Sequence, residues 1–205
     1  MYQLTATELS HRFGARRVFA EIGFDVMTGR SMVVTGPNGS GKSTLLMVLL
    51  GLLEPSRGQV SYWADGSRLS ADEFRRRCLL VAPYQSLYDQ LTAEENLKFF
   101  ASLRDLSPTG KELSEVLARV GLEGRGDDRV DEYSSGMKQR LKLALVLALR
   151  PVFVFLDEPS TNLDESGKLV MRQVINDVRA QSVLVVATNE ADEVALAEQE
   201  VSLAG

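Results

Sequence analysis

The sequence predicts an α/β fold, a core with a mainly parallel sheet into which a helical subdomain is inserted. Three observations carry this. Val152–Leu156 and Ser182–Ala187 are short runs apolar on both faces, as strands covered on both sides of a parallel sheet must be. Ser31–Thr35 is a similar strand that runs into a glycine-rich turn and then an apolar helical stretch from Ser43 to about Leu53. Between about Ser86 and Arg150 the hydrophobic period changes to that of helices.

Taken in order, Gln59–Trp63 and Cys78–Ala82 read as further strands, the second closed by Pro83. Glu94–Leu103, Gly110–Val120 and Gly136–Leu149 are the helices of the inserted block. Pro151 cannot continue a helix and stops the last of them. A helix near Glu165–Ala180 then joins the two apolar strands that complete the layers. No internal repeat or low-complexity linker interrupts the chain. The expectation is therefore one domain over 1–205, with 1–85 and 151–205 forming the α/β core and about 86–150 the helical subdomain.

Composition narrows the class. With 205 residues, 44% of them hydrophobic, the chain can bury a sizeable core. Its apolar runs fall far short of the roughly 20 residues that cross a bilayer. Met1–Thr5 shows neither a basic n-region nor an apolar h-region, so a cytosolic setting is expected. Cys78 is the one cysteine, which excludes an internal disulfide and a multi-cysteine metal cage; it reads as a small apolar residue entering a strand. The net charge is −5, and the basic clusters Arg16-Arg17 and Arg75-Arg76-Arg77 are short solvated faces. Nucleic acid is not expected as a partner.

The chemistry sits at two places. Gly36-Pro37-Asn38-Gly39-Ser40-Gly41-Lys42-Ser43-Thr44 fits G-x-x-x-x-G-K-[ST] at every fixed position, between a strand and a helix as that motif requires. Such a loop wraps backbone N–H groups around phosphate oxygens, and Gly36, Gly39 and Gly41 permit the close approach. The helix behind it points its positive end at the phosphates. Lys42 supplies a point charge to the β- and γ-phosphates, Ser43 a hydroxyl ligand for Mg²⁺, and Thr44 a further phosphate contact. Asp157 and Glu158 emerge at the carboxyl end of the apolar strand, where open α/β sheets place ligands. Asp157 would hold Mg²⁺ directly or through its water shell, and Glu158 would act as general base on the attacking water. These features describe a P-loop NTPase core that takes a nucleoside triphosphate with Mg²⁺, and they leave motor, switch and kinase all open.

The inserted block narrows the class further. Tyr133-Ser134-Ser135-Gly136-Met137-Lys138-Gln139 resembles the L-S-G-G-Q signature of ABC ATPases and stands just before the Asp157 strand, where that family has it. Tyr133, Ser135 and Met137 depart from the pattern, while Ser134 and Gly136 keep the hydroxyl and the backbone amide that reach a phosphate at a helix N-terminus. Gln85 resembles the family's Q-loop glutamine, which touches Mg²⁺ or the attacking water. Ser160-Thr161-Asn162-Leu163-Asp164 resembles the D-loop, and Phe13 stands where the family has an aromatic that stacks on adenine. The resemblance spans Leu4 to Gly205.

That resemblance implies an ATP hydrolase working as a head-to-tail homodimer, or a heterodimer with another ABC ATPase, in which Ser134, Ser135 and Gly136 of one copy close over nucleotide on the other. It implies transmembrane permease subunits as partners and a peripheral place on the inner face of the cell membrane. The short chain and the Tyr133–Leu143 segment look like exporter-type subunits, including the compact haem-exporter group. Two other readings stay open: a soluble ABC-type ATPase serving a cytosolic assembly scaffold, and a slow nucleotide-gated regulator. The second is raised by Thr188-Asn189, where the family carries Thr-His in contact with the γ-phosphate. Asn189 can donate a hydrogen bond but cannot carry charge or move a proton, so slow turnover is expected. The one histidine, His11, matches no family motif and reads as a surface or strand residue.

Overall fold

Strand pairing divides between two sheets in the computed structural model, which describes residues 1–203; the last two residues of the 1–205 assignment lie outside the described residues. By contact the chain separates into one unit made of Met1–Leu80, Val152–Glu158 and Arg179–Gly205 and a second made of Val81–Pro151 and Pro159–Val178. In chain order the first holds β1 (Tyr2–Phe13), β2 (Arg16–Met27), β3 (Ser31–Thr35), α1 (Lys42–Leu49), β4 (Arg57–Ala64), β5 (Ser67–Arg68), α2 (Ala71–Arg75) and β6 (Cys78–Val81). The second unit holds α3 (Ala93–Ser102), α4 (Gly110–Arg119), α5 (Ser135–Leu149) and, up to Val178, α6 (Glu165–Arg179), while β7 (Phe153–Asp157), β8 (Val183–Ala187), α7 (Ala191–Val194) and β9 (Gln199–Ser202) belong to the first.

The parallel sheet is present as predicted, in the order β6-β7-β8-β3-β9. Every residue of β7 and β8 is buried, which accounts for their unbroken apolar sequence. Phe153 pairs with Val183 and Asp157 with Ala187 in parallel register, so this register delivers the carboxylate to the end of the sheet. Beneath it α1 buries Leu45, Leu46 and Leu49. Phe74 of α2 lies flat on Tyr62 with ring centroids 3.6 Å apart and meets Phe153 edge-on at 5.1 Å. Each such pair adds about 0.5–1.5 kcal/mol beyond the area it buries. The Tyr62 hydroxyl donates to Leu49 O at 3.0 Å and ties down the end of α1, and burial pushes its pKa up to about 12.

A four-stranded antiparallel sheet, β2-β1-β4-β5, was not foreseen in the N-terminal sequence. Its β4 covers the strand expected at Gln59–Trp63, but β1 and β2 lose the simple alternation that would betray them. Glu8 and Glu21 take left-handed backbone angles, φ 50° and 56°, and the β1–β2 register shifts between Ala6 and Leu9. Each irregularity moves the following side chains to the other face, as bulges do.

In the second unit α3, α4 and α5 pack together. Thr92 with Glu95 and Thr109 with Glu112 close the N-termini of α3 and α4 as capping boxes, satisfying amides that a helix start leaves open. Leu141 to Leu147 of α5 are buried without a break, so this is the central helix of its unit. Among the described residues no helix is long and apolar enough to cross a membrane.

Candidate nucleotide-binding site

The glycine-rich loop follows β3 and ends at α1, and two of its glycines are imposed by geometry. A Cβ on Gly36 (φ 146°) would lie 2.5 Å from Leu203 O, and one on Gly41 (φ 104°) only 2.2 Å from Val18 Cγ1. Gly41 is also the N-cap of α1, and it offers no side chain to the first amides of that helix. The α1 amides are therefore left for an anion. They face an open cleft of about 300 Å³ lined by Asn38, Gly39, Gly41, Lys42, Ser43, Thr44 and Glu158. The ammonium of Lys42 is buried over the loop, donating to Gly36 O at 2.9 Å and Pro37 O at 3.4 Å, and it stands 3.9 Å from Glu158 Oε1. Ser40 Oγ is buried without a hydrogen-bond partner among the described residues.

Strand β7 brings Asp157 to the same edge, 2% exposed. Burial holds its carboxyl above the usual carboxylate range; the hydrogen bond from Ser43 pulls the other way, and the charge of Glu158 adds to the rise. Its Oδ1 is buried with no partner among the described residues. An orphaned hard oxygen beside a serine hydroxyl is the donor set that suits Mg²⁺, so the residues fit the ion. One residue on, the amide of Glu158 donates to Ala187 O at 2.8 Å while φ turns to 44°. A left-handed non-glycine costs of order 1 kcal/mol or more and persists only where the surroundings enforce it. That turn carries the Glu158 side chain out of the sheet into the cleft lining.

Beyond β8, the Thr188 amide donates to Val34 O at 3.0 Å, which seats the segment against β3. Asn189 Nδ2 then donates to Asn38 Oδ1 at 3.3 Å, joining the position after the strand to the phosphate loop itself. Phe13 closes β1 with its ring 55% exposed and meets His11 edge-on at 4.7 Å. His11 does lie on a strand, but it is buried at 6% exposure between Phe13 and Phe19, with both ring nitrogens unpaired among the described residues.

The remaining candidates belong to the second unit. Gln85 ends a β-turn in which its amide donates to Ala82 O at 3.1 Å, and its Oε1 is buried without a partner among the described residues. Ser134 is the N-cap of α5, its Oγ accepting from the Met137 amide at 3.2 Å. Ser135 and Gly136 form the first turn, and a Cβ on Gly136 would come 3.0 Å from Asn162 O. A cavity of about 430 Å³ opens in front of them, lined also by Arg140, Asn162 and Asp164. Tyr133 is buried, its hydroxyl donating to Arg125 O at 2.7 Å; burial and then the charge of Asp128 push its pKa up to about 12.

A family model described as ABC transporter matches residues 19–161. The chain belongs to the ABC transporter family. The cytochrome c biogenesis ATP-binding export protein CcmA of Paramagnetospirillum magneticum is 35% identical over 181 residues, covering 87% of this chain and 83% of that protein. YdbJ of Bacillus subtilis, an uncharacterized ABC transporter ATP-binding protein, is 34% identical over 170 residues. That match covers 83% of this ABC chain but only 55% of YdbJ, so the chain spans about half the length of that relative. A solved ATP-binding subunit of an ABC transporter superposes with a TM-score of 0.86 at 29% identity, covering 98% of this chain and 85% of the other.

Of the polar residues that tie this ABC cassette together, Asn38 and Gln139 stand inside motifs that the sequence displays, while Lys142 stands in none. Asn38 is a variable position of the loop motif, and its bond to Asn189 joins residues 151 apart. Gln139 donates to Pro159 O at 2.9 Å and Lys142 to Ala82 O at 2.9 Å, both buried. The one available signal was a cation at 142 inside an otherwise apolar helical stretch.

Proposed function

We propose that this chain binds and hydrolyses ATP as one half of a head-to-tail dimer and thereby drives export through separate membrane-spanning subunits at the inner face of the membrane. The observation that carries the reading is the convergence of Lys42, Ser43, Asp157 and Glu158 on one edge of the parallel sheet, with Asp157 Oδ1 unsatisfied. The name of CcmA supports the direction of transport.

The uncapped amides of α1 and the loop wrap the β- and γ-phosphates, and Lys42 exchanges its two carbonyl partners for phosphate oxygens. Ser43 and Asp157 would hold Mg²⁺, which when bound would supply positive charge against the phosphates. Glu158 accepts the proton of the attacking water, for which its exposed carboxylate is suited. Gln85 orients that water, and Phe13 stacks on the adenine. From the second copy, Ser134 donates its hydroxyl proton and Gly136 its amide to the γ-phosphate; the serine can do so because its cap uses only the oxygen as acceptor. Loss of the γ-phosphate removes that bridge and lets the dimer open.

Asn189 favours a variant of this reading in which turnover is slow. Its amide is engaged by Asn38, and it offers neither charge nor proton transfer at the phosphate end of the cleft. The test of the proposal is Glu158→Gln, which keeps shape and removes the base. With ATP and Mg²⁺ it should bind nucleotide normally and run as a dimer in gel filtration; a monomer with nucleotide bound would overturn the sandwich.

A further inference from the structure

A buried cation in α5 serves no part of the proposed chemistry. Lys142 is 6% exposed, and burial lowers its pKa. Its partners are two main-chain carbonyls, Ala82 O at 2.9 Å and Pro83 O at 3.0 Å. Burying an ammonium against neutral acceptors is costly, and an apolar residue of the same volume at such a site is commonly neutral or stabilising. Stability alone therefore does not account for this lysine.

What it grips is specific. Ala82 O is the acceptor that closes the turn Ala82-Pro83-Tyr84-Gln85, taking the Gln85 amide at 3.1 Å. Lys142 and Gln85 thus meet on one oxygen, and the neighbouring carbonyl is held by the same ammonium. The side-chain oxygen of Gln85 is buried with no hydrogen-bond partner among the described residues, and both residues line one cavity of about 250 Å³. Further along, Asn96 takes over as anchor: its Oδ1 accepts from the Tyr88 amide at 2.9 Å and its Nδ2 donates to Tyr88 O at 3.0 Å. The stretch between Pro83 and Tyr88 is therefore pinned at both ends.

We propose that Lys142 is a positioning residue for Gln85, fixing the turn that presents the glutamine side chain. This rests on the reading of Gln85 as a contributor to turnover. The ammonium binds no nucleotide and moves no proton; it holds the turn in the one geometry that aims the amide.

The experiment is a double-mutant cycle in steady-state ATPase on the full chain with Mg²⁺ and ATP. Lys142→Met keeps volume and deletes the donors, Lys142→Arg keeps donors, and Gln85→Ala deletes the presented group. Lys142→Met should lower kcat about tenfold with KM for ATP and the nucleotide Kd unchanged, since contacts that act only in the transition state leave binding intact. Lys142→Arg should recover part of the loss. Lys142→Met combined with Gln85→Ala should be no slower than Gln85→Ala alone, because both changes remove one function. Multiplying losses, or wild-type kcat in Lys142→Met, would overturn the assignment. Wild-type kcat in Gln85→Ala would instead overturn the reading of Gln85, and the positioning role with it. Thermal unfolding run beside the assay guards the result: a fall in kcat that follows unfolding at the assay temperature, and that Lys142→Arg does not restore, also counts against the proposal.

Discussion

The N-terminus of α1 is left bare, whereas that of α5 is closed by its own serine. At α1 the N-cap is a glycine in a left-handed conformation, no side chain reaches the first amides, and an orphaned carboxylate oxygen and an orphaned serine hydroxyl lie in the same unit. At α5 Ser134 already satisfies the Met137 amide, and the loop opposite is held by side chains: Gln139 on Pro159 O, Arg140 on Asp164. An uncapped helix start is incomplete until an anion arrives; a self-capped one is stable alone and can take up or release a ligand at small cost. The difference fits a permanent phosphate site at α1 and an intermittent one at α5.

Breaking the first region should have the largest effect. Gly41→Ala forces an L-residue into φ 104° and drives its Cβ against Val18. Strain and overpacking together come to about 3 kcal/mol, enough to weaken nucleotide binding by at least about 100-fold. A nucleotide titration checks it, and Val18→Ala in the same chain should recover part of the loss by removing the obstructing methyl.

Asn189→His probes whether the first region is catalytically finished. It breaks the bond to Asn38 and restores an imidazole at the end of β8. Turnover at saturating ATP should rise by at least about tenfold, below the 10²–10³ typical of a single transition-state donor because Glu158 is already present. Nucleotide affinity should stay nearly the same. Equal or lower turnover would mean that position 189 does not limit the rate.

The mildest change sharpens the second region. Ser134→Ala removes a helix cap and should cost about 1 kcal/mol in thermal or denaturant unfolding. Binding of nucleotide to the isolated chain should not change, in contrast to Gly41→Ala. A matching loss of affinity would erase the distinction between the two helix starts.

How much of this was legible follows from whether the signal is local. The phosphate loop, β7 with its carboxylates and α5 were readable because each is a contiguous stretch whose pattern and function coincide: five apolar residues before Asp157 are both a buried strand and an address. The antiparallel sheet was not, because β1 pairs with β4 at Gln3↔Trp63, a separation no local window spans, and left-handed Glu8 and Glu21 break the period of two. The same holds within the site. Lys42 announces itself through a motif, but Lys142 and Asn38 gain their meaning from partners 60 and 151 positions away. His11, which the sequence reads as a surface or strand residue, is on a strand but not on the surface, because Phe13 and Phe19 close over it.

Helix α5 has a mechanical consequence. Its N-terminus carries Ser134, and within its first two turns Gln139, Arg140 and Lys142 fasten the segments beginning at Pro159, at Asp164 and at Ala82. Two stretches of irregular chain, the loop from Pro159 to Asp164 and the turn at Ala82, are thereby referred to one helix. A tilt of that helix would carry the Ala82 turn and the Pro159–Asp164 loop along with Ser134 at its own N-terminus.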